Sequence, residues 1–152
     1  MSAESEMLVT SGPAYSGAAK WAVLTVSVEA AATALVLFVR PSLFAWLVFG
    51  AEFSEAGLAL GRLTAFALFG LSIATWPSDA PGGLASSVRT LLIYNVMAAV
   101  YLSYVGVGGQ LTGILLWPAV ALHGVFSVLL GRVWLAMKGF QKGEGSSWKS
   151  RS

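Results

Sequence analysis

Four long apolar runs, separated by residues that end helices or form turns, dominate the pattern of the sequence. The runs cover residues 21–39, 57–76, 88–107 and 111–137. Arg40-Pro41, Trp76-Pro77 and the glycines at 106, 108 and 109 separate them, and proline and glycine are the strongest interrupters of regular structure. About 20 apolar residues are enough for a helix to cross a bilayer. The pattern therefore predicts an all-α integral membrane protein, an antiparallel four-helix bundle.

The segments outside these runs divide the chain further. Residues 42–51 are apolar but reach only about 15 Å as a helix, half a bilayer. We expect a short interfacial segment after the first span; a re-entrant turn and a bent extension of that span are the alternatives. Residues 1–19 are predicted to form a flexible lead, 20–137 the transmembrane domain, and 138–152 a basic, disordered tail.

Composition and charge narrow the class of protein. Charged residues make up 11% of the chain, and the mean hydropathy is +0.76, whereas about a quarter of the residues of a soluble domain are charged. The net charge of +2, with no basic face along the fold, argues against a nucleic-acid partner. The absence of cysteine excludes disulfides and thiolate metal sites.

The basic residues predict the orientation in the membrane. With four spans both termini lie on one side, and that side carries seven of the nine Lys and Arg residues. Only Arg40 and Arg62 fall on the other side. Because cytoplasmic loops are enriched in basic residues, we expect a multi-pass protein of the bacterial plasma (inner) membrane with both termini in the cytoplasm.

Four polar residues interrupt the apolar runs and form the candidate site. Glu29, Asn95 and His123 lie in three different spans at a similar depth, about 10–13 Å from the cytoplasmic edge. Arg62 enters from the opposite side. Because a charged side chain at mid-membrane costs several kcal/mol on some scales, these residues predict a buried polar cluster in the bundle interior.

Two pairings of the Glu29 carboxylate are consistent with the sequence, one with Arg62 and one with His123. A purely structural role is the competing interpretation, because polar side chains in membrane bundles often only hydrogen-bond between helices. Arg62 can also extend its charged group back to the surface.

Small residues predict where helices approach closely. Gly57 and Gly61 are four residues apart in the second span, and Gly124 and Gly131 are seven apart in the fourth. Such spacing places each pair on one helix face, where glycine permits close packing. One of these faces could alternatively mediate self-association.

Cofactor chemistry has little support in the sequence. A single histidine cannot provide both axial ligands of a bis-histidine haem, and we predict no metal and no cofactor. Glu52 and Glu55 are expected to be solvated carboxylates. A quinone ring stacked on Tyr94, Tyr101 and Tyr104 is the least favoured alternative.

Three segments resemble small bacterial four-span membrane proteins of the DoxX-like family: 61–76, which begins Gly-Arg-Leu; 91–95, Leu-Leu-Ile-Tyr-Asn; and 116–119, Leu-Trp-Pro-Ala, followed by His123. The resemblance covers spans two to four. It implies a four-span bundle, and some members of that family are small subunits of quinone-linked redox enzymes. It implies no catalytic residue here.

Two functions fit the sequence. The first is a small accessory or structural subunit that packs against a larger membrane complex or self-associates, with the lipid bilayer as its other partner. The alternative is a proton-linked transporter or binder of small molecules that uses Glu29. The sequence favours a non-enzymatic role.

Overall fold

The first long helix ends where proline enters the chain. A computed structural model describes residues 13–78, 82–109 and 111–149, with side chains for 17–78, 82–109 and 111–138. Helix α1 spans Pro13–Val39 and helix α2 spans Pro41–Phe49. Arg40 between them is non-helical, with φ −135° and ψ 63°, because a residue before proline is forced out of the helical region.

Three further long helices complete the fold. Helix α3 spans Glu55–Ala74, α4 spans Gly83–Val107 and α5 spans Leu116–Lys149. The Ser54 side chain caps α3 by accepting a hydrogen bond from the Gly57 N–H at 3.2 Å, a common N-cap. The described residues form five helices and no strand, which confirms the all-α fold class.

The first and last helices are both longer than the spans that the sequence predicts. The lead predicted to be flexible is helical from Pro13 onward, and residues 1–12 lie outside the described part. Proline suits the first helical position, and the alanines after it are strong helix formers. The tail predicted to be disordered is helical to Lys149. An existing helix adds residues at little cost, and α5 contains no proline after Pro118 to stop it.

Four helices are long and apolar enough to cross a membrane, as predicted. The stretches are Gly17–Val39, Glu55–Ala74, Gly83–Val107 and Leu116–Lys138. Most of their large apolar side chains are exposed on the outside of the structure, including Leu35, Phe66, Met97, Tyr104 and Leu135. Helices that expose so much apolar surface suit lipid surroundings, because lipid accepts apolar side chains and a helix bonds most of its backbone polar groups internally.

The short segment after the first span is a separate nine-residue helix, α2. Pro41, Ala45 and Val48 are buried, and α2 packs against α1, α3 and α5. Trp46 on its opposite face is 60% exposed. The segment is therefore not a continuous extension of α1, and its place at the membrane interface stays a prediction.

Two helix pairs make the largest contacts, α4 with α5 and α1 with α3. Two apolar clusters fill the interior. The first apolar cluster joins α1, α4 and α5 and consists of Val23, Val26, Val88, Leu91, Phe126 and Leu130. The second apolar cluster joins α1 and α3 and consists of Ala34, Leu37, Ala65 and Leu68. Along α1 these clusters are separated by residues 27–33, where the polar side chains lie.

Candidate functional site

A hydrogen bond between Asn95 and His123 joins α4 to α5. Asn95 is fully buried and His123 is 8% exposed. The Asn95 Nδ2 group donates to the Leu91 carbonyl at 2.8 Å, so its Oδ1 atom accepts from the His123 Nδ1–H, also at 2.8 Å. The bond fixes the Nδ1 proton of His123, so Nε2 is the nitrogen that can gain or lose a proton.

Tyr94 packs against the histidine from the same helix as Asn95. Its ring meets the His123 ring edge to face, with centroids 5.8 Å apart and an interplanar angle of 85°. Tyr94 also contacts the second apolar cluster. The imidazole is thus held by a hydrogen bond at one nitrogen and by an aromatic contact.

Glu29 on α1 faces this pair without bonding to it. Its Oε1 atom accepts a hydrogen bond from the Thr33 hydroxyl at 3.0 Å, while Oε2 is buried and has no hydrogen-bond partner. The carboxylate is nevertheless within electrostatic range of Tyr94 and His123. Glu29, Asn95 and His123 therefore lie in one region of the bundle.

Arg62 does not join this cluster. It lies on the exposed face of α3, and the neighbouring Gly61 occupies the face that contacts Leu37 of α1. Leu37 is eight residues from Glu29, about 12 Å along a helix. The pairing of Glu29 with Arg62, one of the two alternatives left open above, is therefore not formed. Arg62 lies one residue beyond the buried Gly61 and is exposed, and its level on α3 is far from the carboxylate.

A second polar link, between α1 and α3, was missed from the sequence. The hydroxyls of Ser27 and Thr75 lie 3.0 Å apart, both buried. Thr75 also donates to the Leu71 carbonyl at 2.8 Å, so Ser27 donates to Thr75. Ser72 is buried one turn earlier. Positions 72 and 75 share a helix face, and two hydroxyls on one face of an apolar span are a signal of a polar contact. Thr75 lies at the end of its span, so this signal was easy to overlook.

These side chains form a band that we call the polar layer: Ser27, Glu29, Thr75, Asn95 and His123. On α1, α4 and α5, the side chains of the polar layer lie within about one helical turn of residues of the first apolar cluster. The second apolar cluster lies beyond it along α1. Helix α1 therefore contributes two polar side chains to this layer, and α4, α5 and the end of α3 contribute one each.

The four glycines predicted to mediate helix packing behave differently. A Cβ at Gly61 would lie 3.4 Å from Leu37 of α1, so Gly61 permits the α1–α3 contact. A Cβ at Gly57 would lie 3.2 Å from Phe53, and a Cβ at Gly131 would lie 3.9 Å from Leu92 of α4. A Cβ at Gly124 would meet nothing within 4 Å. No described part of the chain therefore packs closely against Gly124, which is half-buried.

Two surface cavities lie at opposite ends of α4, and neither is lined by the polar layer's Glu29, Asn95 or His123. One is lined by Ser103, Tyr104, Val105, Val107, Gly108 and Leu111. The other is lined by residues at the end of α3 and the start of α4, with Thr75 at its edge. Among the described residues, no group of three or more His, Cys, Asp or Glu side chains is placed to hold a metal ion. Quinone stacking on the tyrosines stays a prediction.

No family model, curated protein or solved structure is significantly similar to this chain.

Proposed function

We propose that the protein is a small accessory or structural subunit of a larger membrane complex. In this proposal it is an antiparallel four-helix bundle in the bacterial plasma (inner) membrane, with both termini in the cytoplasm. The observation that carries it is the Asn95–His123 hydrogen bond, which joins α4 to α5. Burying polar residues such as these two in an apolar span costs free energy, and here both are bonded to each other. They line neither cavity.

Contacts along the helix pairs support the antiparallel arrangement. On α1 and α3, Ser27 meets Thr75 while Gly61 faces Leu37, so residue numbers rise on one helix as they fall on the other. The same holds for α4 and α5, where Asn95 meets His123 and Gly106 lies against Leu116 and Trp117.

The outside of α5 supports a partner in the membrane. Gly124 has no neighbour within 4 Å of a Cβ position, and Val125 and Val128 beside it are 55% and 62% exposed. A glycine among apolar side chains lets another helix approach closely. We assign this face to a helix of the partner subunit.

Substitution of this glycine tests the assignment. Gly124→Leu should move the protein from a large complex to its own size on native gels of mild-detergent membrane extracts. Gly70→Leu is the matched control, because Gly70 on α3 also has open space around it, and it should leave the complex intact. A wild-type protein that migrates alone would overturn the proposal, and one that pairs only with a tagged second copy would indicate self-association.

Accessibility of single cysteines tests the orientation. The chain has no native cysteine, so any labelling reports the introduced residue. Glu52→Cys should react with a membrane-impermeant thiol reagent added outside the cells, and Ser150→Cys should react only after the membrane is opened. The reverse pattern would overturn the proposed topology.

One observation favours the second candidate, a proton-linked transporter or binder. The Oε2 atom of Glu29 is buried without a partner, and a carboxyl group in that position is a potential proton carrier. If this function holds, purified protein in liposomes should move protons with its solute, and Glu29→Gln should abolish that movement. Thr33→Val, which removes only the bond to Oε1, should retain it. Proton movement that persists in Glu29→Gln would exclude this role of Glu29.

A further inference from the structure

A cavity of about 330 Å³ lies where α3 ends and α4 begins. Its described lining consists of Ala74, Thr75, Trp76, Ser78, Gly83, Ser86, Ser87 and Thr90. Five of these eight residues carry hydroxyl groups, an unusual concentration for a chain so rich in apolar residues. The cavity lies at the same end of the bundle as Trp76, which is 52% exposed, and tryptophan prefers the level of lipid headgroups.

Three of these hydroxyls have no hydrogen bond among the described residues: Ser86, Ser87 and Thr90. Elsewhere in the helices the usual arrangement is a bond from the hydroxyl to the carbonyl four residues earlier. Thr25, Thr64, Ser103 and Ser127 all make it. Ser87 is only 6% exposed, and it lines the cavity without a hydrogen bond to the described backbone.

The start of α4 adds backbone donors to the same cavity. Its N-cap residue, Gly82, has φ +76° and provides no side-chain cap. The first N–H groups of a helix have no acceptor inside the helix, and Gly83 at the first helical position lines the cavity. This end of the 25-residue helix also carries the positive end of the helix dipole.

A basic side chain lies on the same helix face. Arg89 follows Ser86 by three residues, a spacing that makes side chains neighbours on a helix, and it is exposed. Asp79, in the loop before α4, lies outside the described residues. Unbonded hydroxyls, helix N–H groups and an arginine are all hydrogen-bond donors to an anion.

We propose that this cavity binds a phosphate group. The Ser87 and Thr90 hydroxyls donate to its oxygens from inside the cavity, the N–H groups at the start of α4 approach from the loop side, and Arg89 supplies the counter-charge. The site is independent of the proposed accessory function. Two sources provide the same chemistry at this depth, the headgroup of an anionic phospholipid and free inorganic phosphate.

Binding by purified full-length protein tests the proposal. Inorganic phosphate is titrated with fluorescence of Trp76 as the signal, isolated by subtraction of the Trp76→Phe variant. In parallel, native mass spectrometry counts phosphatidylglycerol molecules retained from mixed nanodiscs. Each lost hydrogen bond to a charged group costs enough to weaken binding by about tenfold or more, so Ser87→Ala should weaken whichever ligand is bound by about that factor.

The controls separate binding from folding. Ser103→Ala removes a serine from the same helix that is bonded to the Ala99 carbonyl, and it should leave binding unchanged. Ser86→Ala, at an exposed position, removes a cavity hydroxyl with little risk to folding and should also weaken binding.

Each outcome of the two titrations is decisive. Saturable phosphate binding that is weakened by Ser87→Ala identifies free phosphate as a ligand. Retained phosphatidylglycerol that depends on Ser87, without phosphate binding, identifies a lipid headgroup. If neither ligand binds, or if binding is the same in Ser87→Ala and Ser86→Ala as in Ser103→Ala, the proposal is wrong.

Discussion

Two regions of the bundle hold the helices together by opposite means. In the polar layer, side chains bridge the helices by hydrogen bonds, as between Asn95 and His123. At the end of α2 the backbones themselves touch: Thr112 N–H donates to the Phe49 carbonyl at 3.0 Å, and Leu115 N–H donates to the Leu47 carbonyl at 2.8 Å. We call this second region the backbone clasp.

The two regions differ in how many residue types each position can accept. In the backbone clasp, a Cβ on Gly113 would lie 2.2 Å from the Val48 carbonyl carbon, so only glycine fits. Gly50 on the other side has φ +67°, a conformation that favours glycine. In the polar layer, by contrast, several residue types could form a hydrogen bond. Substitutions in the backbone clasp should therefore destabilise the protein more than substitutions in the polar layer.

Gly113→Ala should be the most damaging substitution. The new methyl group would collide with the α2 backbone rather than with a movable side chain, so the clasp must open, and we expect a loss of at least about 1–3 kcal/mol of unfolding free energy. Equilibrium unfolding in mixed detergent micelles, followed by circular dichroism, measures it. Gly124→Ala is the matched control and should be neutral or stabilising, because its methyl group meets nothing within 4 Å. Equal stability of the two variants would contradict the clasp.

A double-mutant cycle measures the side-chain link between α4 and α5. Asn95→Ala and His123→Ala should each destabilise the bundle, and their coupling energy should be about 0.6–1.7 kcal/mol, the range of hydrogen bonds between membrane helices. The same micelle unfolding assay provides it. Additive effects of the two substitutions would mean that the bond at 2.8 Å contributes no stability.

Ser27→Ala should have a smaller effect than either of those substitutions. Thr75 keeps its bond to the Leu71 carbonyl at 2.8 Å, so no buried donor is left without an acceptor, and the loss should be about 0.5 kcal/mol. Thr25→Ala is a suitable comparison, since Thr25 is bonded only within its own helix. A loss for Ser27→Ala as large as that for Asn95→Ala would show that the α1–α3 link is stronger than its geometry indicates.

Glu29→Gln should leave stability unchanged or raise it slightly. The substitution removes a carboxylate whose Oε2 atom is buried without a partner, and a neutral amide is less costly to bury than a charge. Glu52→Gln, at an exposed position in the loop before α3, is the control and should have no effect. Strong destabilisation by Glu29→Gln alone would mean that the carboxylate is bound to a partner that stabilises the bundle.

Much of the fold was predictable because a helix that is able to cross a bilayer has a simple sequence pattern. Such a helix needs about 20 apolar residues, so four long apolar helices could be counted from the runs alone. Helical rise is constant, so the similar depths of Asn95, His123 and Glu29 could be counted from their positions in the apolar runs. Counting residues did not show that Arg62 is exposed. The count gives the level of a side chain along its helix, but not the helix face on which the side chain lies.

Local composition and a fixed rise per residue therefore set the number of long helices, their apolar character and the similar depths of Glu29, Asn95 and His123. The pairs of residues that meet across helices depend instead on the packing of the folded chain. The contact of Gly113 with Val48 joins residues 65 positions apart, and the Ser27–Thr75 bond joins residues 48 apart. Such contacts depend on how the helices rotate and approach one another, which no local pattern records.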